Sequence, residues 1–331
     1  MEKLIIGDYE LKYKLDCNAN LLGKEFDIQI GESKGKIMFP KLSPLFDDYK
    51  ENGDKVNCSI PGPVCPIDKL KWGNSEDSFG CTKWGQTMTF PQGNTIINRV
   101  MIKFEETINY QEVYQNIDIW FKRFYQIYQI MNFKKIKNKE NETPPLIKGF
   151  GFKNTGLLLY SLDIETNKSE VIRDTNSKCF ISLDFANGEL TYEIFEKIVC
   201  LVNKQRDLNF SYKCYLEGII AFFDNDFKKA ITICSPALEN ALHMGLEEFS
   251  KEKHIYFLNK LIDKKYKMLG GYFDLAKDLN MNLPTQDYKT KILLLRNKVI
   301  HKGYEPTQKE VKDYLEDIKV YLDYFIKSIL E

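Results

Sequence analysis

The spacing of hydrophobic and polar positions changes character near residue 189. Up to about Glu105 the apolar residues come in short runs: EFDIQI, GKIMF and RVMIKF. Between them stand GES, PKLSP, ENGD and PQGN, the turn punctuation of an antiparallel sheet. From about 110 to 131 the period becomes helical. Val113, Ile117, Trp120, Phe121, Phe124 and Ile127 recur on one face of a long helix. The stretch FKKIKNKENETPP has little apolar content and two prolines, and reads as an exposed loop. Strand patterns resume with TGLLLYSLDI and KCFISLDF.

After Glu189 almost everything is helical in pattern. Tyr192 to Leu201 predicts one helix. A second runs from a cap at or just before Asp226 to about Phe249, along Phe227, Ile231, Cys234, Leu238, Leu242 and Gly245. Pro236 lies inside it and predicts a kink or a break. A short helix is expected over Ile255 to Asp263. Another starts near Gln286 and stops at Gly303, a residue suited to close a helix. The last is the best marked. Thr307-Gln308-Lys309-Glu310 is a capping box, and Val311, Leu315, Ile318, Leu322, Phe325 and Ile329 recur every three or four residues. The fold class expected is therefore α+β: a β-rich region over 1–188 with one long helix, then an all-α helical bundle over 189–331.

Composition narrows the function. The 331 residues carry 47 basic and 47 acidic side chains, so a general polyanion binder is disfavoured and any nucleic-acid contact needs a local patch. No run of about 18 apolar residues exists, and MEKLIIGDYELKYK lacks the apolar core of a signal peptide. A cytoplasmic protein without a membrane span is expected, its eight cysteines reduced. Cys200, Cys214 and Cys234 fall in apolar helical patterns and read as small core residues.

One helical stretch carries chemistry that folding does not require. In LLLRNKVIHKG, Leu293 to Gly303, Arg296, Asn297 and His301 interrupt an apolar run. Asn297 and His301 are four residues apart and share a face, and the Arg296 side chain reaches its edge. His301 sits in the last turn, where the negative end of the helix dipole favours an imidazolium able to donate a proton. An arginine beside it can grip a phosphate with two parallel hydrogen bonds. RNA brings its own nucleophile, the 2′-OH, so such a site suffices for phosphodiester cleavage without metal or cofactor. The structural alternative is that Arg and His simply stabilise a helix end.

The R-N-K-V-I-H hexapeptide, late in a helical domain and followed by a capped helix, resembles the HEPN superfamily signature, an arginine and a histidine with four to six residues between them and a polar residue after the arginine. The segment AFFDNDFKKAITICSPALENAL, with Glu239, resembles the earlier helices of such bundles. The β-rich region ahead of the bundle resembles the Apea-like HEPN proteins of bacterial defence. The resemblance covers about Asp207 to Glu331. It implies Arg296 and His301 as a catalytic pair, Asn297 as an accessory residue, and a metal-independent endoribonuclease acting as a homodimer, a toxin or antiviral effector of abortive infection. The N-terminal region would then meet a trigger or regulatory protein. One branch of the superfamily is controlled at a tyrosine two residues after the histidine. Here that position is Gly303, and Tyr304 is one further on. The competing reading is an inert HEPN-like module for dimerisation or for binding protein or nucleic acid. The balanced charge favours it, and the intact R-N-x3-H favours the enzyme.

Other candidates carry less. Cys58, Cys65 and Cys81 lack the tight four-ligand spacing of structural zinc. Gly149, Gly151 and Gly156 precede a strand pattern where a dinucleotide loop requires a helix. His243, on an apolar helix, reads as a partly buried histidine. Trp72, Phe79, Trp84 and Phe90 read as the core of a β-domain.

Overall fold

The computed structural model describes residues 3–40, 57–59, 85–88, 94–104, 109–136, 157–163, 169–173, 189–255, 268–285 and 287–331. Two compact units emerge: Met1–Tyr125 with Ile136–Gln205, and Gln126–Lys135 with Arg206–Glu331. The chain is α+β, with strands in the first unit and helices dominating the second.

The first unit is built on one antiparallel sheet. Its strands are β1 (Lys3–Asn18), β2 (Glu25–Ile30), β3 (Ser33–Met38), β4 (Asn57–Ser59), β5 (Gly85–Met88), β6 (Asn94–Phe104), β7 (Leu157–Asp163) and β8 (Ser169–Arg173). The order is β2-β3-β6-β1-β7-β8, with β5 joining β6 and β4 joining β5. The sixteen-residue β1, which the sequence reading did not single out, lies between β6 and β7, and its register shifts between Glu10 and Leu15. Helix α1 (Tyr110–Asn132) presents the expected stripe: Val113, Ile117, Trp120, Phe121 and Phe124 are buried. The Phe121 ring stacks on Tyr9 of β1 at 4.2 Å.

Helix α2 (Tyr192–Val202) belongs with this sheet. Along the chain the second unit takes Gln126–Lys135 and begins again at Arg206; the change of pattern lies at 188/189. Periodicity shows that a helix has an apolar face but not what that face meets. Here Phe195 packs on Phe26, Phe39 and Phe124. Asn203 fastens the end of α2. Its Oδ1 accepts from the Gln29 backbone and the Trp120 indole, and its Nδ2 donates to the Asp27 carbonyl. Cys200, expected in the core, is exposed, because Ile198, Val199 and Val202 hold the inward face.

The second unit contains α3 (Phe210–Phe223), α4 (Phe227–Glu252), α5 (Leu269–Asp278), a π-helical segment (Lys289–Leu294), α6 (Leu295–Lys302) and α7 (Gln308–Phe325). Asp226 caps α4 by accepting from the Lys229 N–H. The helix runs unbroken through Pro236. A proline within a helix costs about 3 kcal/mol, and the burial of Ile231, Cys234, Ala237, Leu238, Ala241 and Leu242 around it outweighs that loss. Gly218 lets α3 and α4 approach, since a methyl there would meet Cys234 Sγ at 2.0 Å. The capping box at Thr307 and Glu310 is formed, and Val311, Leu315, Ile318, Leu322 and Phe325 are all buried. The helix ends at Phe325, so Ile329 lies beyond it, and Leu330 instead bridges to Leu208. The helix expected over Ile255–Asp263 falls almost wholly outside the described residues, as do KCFISLDF, the aromatics at 72, 79, 84 and 90, and Cys65 and Cys81.

Candidate functional site

The stretch that carries Arg296 is not one uniform helix. Tyr288 leads into the π-helical segment Lys289–Leu294, and α6 follows directly. A π-turn inserts a residue into the helical register and is often found at functional sites. Tyr288, Ile292, Leu295 and Val299 face the core, and Phe273 stacks on Tyr288 at 4.2 Å. Leu294 is left 50% exposed. At the other end Gly303 adopts φ 65°, a left-handed conformation natural to glycine. Its N–H and that of Tyr304 both reach the Lys298 carbonyl.

The three singled-out residues all lie on α6. His301 and Asn297 are exposed. Arg296 is half-buried, and its Nη1 donates to Asn297 Oδ1 at 3.0 Å. The guanidinium Nε is buried and has no hydrogen-bond partner among the described residues. An unpaired buried donor costs roughly 1–3 kcal/mol, so Arg296 is not satisfied by its own protein. Nothing pairs His301 with Arg296 directly: they share one short helix, and the Arg296–Asn297 bond is the contact between motif residues.

Two residues missed by the sequence reading come from α4 and α7, and the second of them feels the charge of Arg296. The fully buried Tyr314 of α7 hydrogen-bonds Ser235 of α4 at 3.3 Å. Ser235 Oγ also donates to the Ile231 carbonyl at 2.9 Å. Burial pushes the Tyr314 hydroxyl up, while the Ser235 bond and the charge of Arg296 pull the other way. A serine and a tyrosine within apolar stripes were the available signal, but neither carries a motif.

Beyond Gly303 the chain is fastened by polar contacts. The Tyr304 hydroxyl donates to both Glu310 carboxylate oxygens at 3.2 and 3.3 Å, and the Lys298 ammonium lies 5.7 Å from the Tyr304 ring centroid. Glu310 is held below the usual carboxylate range, first by the Thr307 N–H. Tyr304 is raised, first by its bond to Glu310.

His243 of α4 is half-buried, its ring 5.8 Å from Tyr272 and its Nδ1 4.0 Å from Glu247. Among the described residues no group of three or more His, Cys, Asp or Glu side chains is placed to hold a metal ion. No helix among them is long and apolar enough to cross a membrane. Comparison with protein-family models, with curated proteins and with solved structures gives no match.

Proposed function

We propose that the chain is a metal-independent endoribonuclease of the HEPN type, a bacterial defence or toxin effector whose sheet unit receives a trigger or regulatory protein. The observation that carries this reading is the unsatisfied Arg296. It is held by Asn297 at 3.0 Å, with a buried Nε left unpaired, five residues before an exposed His301 at a helix end. The outer Nη2 end of that guanidinium, which makes no hydrogen bond among the described residues, is the part that can meet an anion. A phosphate gripped there would have its developing negative charge stabilised by Arg296. The RNA 2′-OH attacks phosphorus, the bond from phosphorus to the 5′-oxygen breaks, and the leaving oxygen takes a proton from the imidazolium of His301. The products are a 2′,3′-cyclic phosphate and a 5′-OH.

The reaction needs both a base and an acid, and one chain offers one such histidine. A second copy related by a twofold axis would supply the other. Leu294, Asn297 and His301 fall on one face at spacings of three and four. Leu294 is 50% and Ile300 38% exposed, so apolar surface accompanies the motif where a partner would sit.

The test is purified protein with end-labelled RNA in excess EDTA. Cleavage leaving 2′,3′-cyclic phosphate ends is expected, with loss of at least about a hundredfold, the scale of one general acid, in His301→Ala and in Arg296→Ala. Far-UV circular dichroism should be unchanged in both. Unfolding of either variant, or efficient cutting of a 2′-deoxy substrate, would overturn the reading.

A further inference from the structure

A shallow groove lies along α4 beside α5. Pro236, Glu239, Asn240 and His243 line it from α4 and Tyr272 from α5. The four α4 positions recur at i, i+3, i+4 and i+7, so they form one face. The groove measures about 220 Å³, smaller than the roughly 300–1,000 Å³ of pockets that take drug-sized ligands and cofactors. It suits a single planar group.

Two of its polar side chains, Glu239 and Asn240, present acceptors, while His243 and the Tyr272 hydroxyl also carry donors. The Glu239 carboxylate makes no hydrogen bond or ion pair among the described residues. Asn240 is oriented by its own donors: Nδ2 gives hydrogen bonds to Ser211 Oγ at 2.9 Å and to Met244 Sδ at 3.6 Å. That leaves the Asn240 carbonyl oxygen as the unpaired end of the amide. Tyr272 and His243, with ring centroids 5.8 Å apart, and the flat ring of Pro236 supply stacking and apolar surface.

We propose that this groove is a guanine-reading subsite for single-stranded RNA. The proposal deepens the ribonuclease reading and rests on it for the rest of the strand. Unstacked bases are bound by aromatic stacking and by hydrogen bonds to their pairing edge. Two neighbouring acceptors require two neighbouring donors. Only guanine presents them, at N1–H and the 2-amino group. Adenine and cytosine offer one donor beside an acceptor. Uracil offers one donor between two carbonyls, which would face the lone pairs of Glu239 and Asn240. The placement also fits a strand whose phosphate lies at Arg296. Helix α6 packs on α4, and Ser235, bonded to the Tyr314 that feels the Arg296 charge, immediately precedes Pro236.

The experiment uses the wild-type chain and fluorescein-labelled 2′-O-methyl pentanucleotides UUGUU, UUAUU and UUIUU, which the proposed chemistry cannot cut. Binding is read by anisotropy at one fixed salt concentration. UUGUU should bind at least about fivefold more tightly than UUAUU, the low end for a bidentate base contact. Inosine, which lacks the 2-amino group, should fall between. Glu239→Gln, at a half-buried surface position, should remove the preference with an unchanged melting curve. Equal binding of the G and A probes, a preference that survives Glu239→Gln, or no binding to any probe would overturn the proposal. The two readings fail separately. Guanine-dependent binding without cleavage of ordinary RNA leaves the groove and removes the enzyme. Cleavage with no discrimination between G and A does the reverse.

Discussion

Arg296 and Glu310 stand at opposite extremes of satisfaction. Arg296 keeps a buried donor idle, an arrangement that packing alone does not reward, because a leucine would fill the same half-buried position without the desolvation cost. Glu310 is spent entirely on structure: it takes the Thr307 N–H at 2.8 Å, the Thr307 hydroxyl at 2.8 Å and the Tyr304 hydroxyl. Thr307→Ala should therefore lower stability by about 1 kcal/mol, read from urea unfolding at pH 7, with RNA chemistry little affected. The pH dependence follows from the sign of the shift. The folded-state Glu310 carboxyl lies below its ordinary value, first because the Thr307 backbone N–H donates to it. The unfolded chain thus takes up the proton first on acidification. The contribution is complete above the ordinary glutamate value of about 4.3 and is lost as pH falls through the lower folded one. Glu310→Gln should flatten this part of the stability curve. A variant and a wild type that lose stability in parallel below pH 5 would show that the carboxylate does not act as described.

At the scale of elements, two glycines in helices give opposite expectations from the same substitution. A methyl at Gly245 of α4 would meet the Phe325 ring of α7 at 2.3 Å, whereas one at Gly270 of α5 meets nothing within 4 Å. Glycine to alanine gains up to about 1 kcal/mol in helix propensity, while overpacking costs about 1–3 kcal/mol. Gly245→Ala should accordingly destabilise by about 1–2 kcal/mol, and Gly270→Ala should stabilise by about 0.5 kcal/mol, both read by thermal melting. What the sequence revealed at this scale depended on the range of the forces. The α7 cap, the α4 cap at Asp226 and the stop at Gly303 were legible, because each is fixed by residues within a turn of one another. The π-helical segment was not: its register differs from an α-helix by one residue, and the packing of Tyr288 on Phe273 from another helix accompanies it. The unbroken course of α4 through Pro236 was also hidden, since tertiary burial decides it. For the candidate site, Arg296, Asn297 and His301 were legible as an interruption of an apolar run. Ser235 and Tyr314 were not, because they come from two other helices. The groove residues Glu239, Asn240 and His243 do share a face in the sequence, but Tyr272, in the next helix α5, is what makes that face a groove.

For the whole molecule the motif raises a question of stoichiometry. The helical unit holds its core without help from the motif face: Tyr215, Tyr314, Tyr321 and Phe273 are fully buried, while Leu294, Asn297, Ile300 and His301 are exposed. A chain that cleaves RNA needs a base at the 2′-OH and an acid at the 5′-oxygen, and α6 provides one histidine. A twofold axis beside α6 solves this, since an isologous interface presents Leu294 to Leu294 and brings both His301 side chains toward one phosphate. Active protein should run as a dimer or a higher even oligomer by light scattering. Leu294→Lys places like charges across the axis at a position half open to solvent, so it should yield folded monomers that do not cut. Mixing wild-type chains with an excess of His301→Ala chains, under conditions of exchange, should leave well below half the activity per wild-type chain. Full activity per wild-type chain in those heterodimers, or a fully active monomer, would mean that each α6 works alone and that the second proton-transfer group must be sought within the same chain.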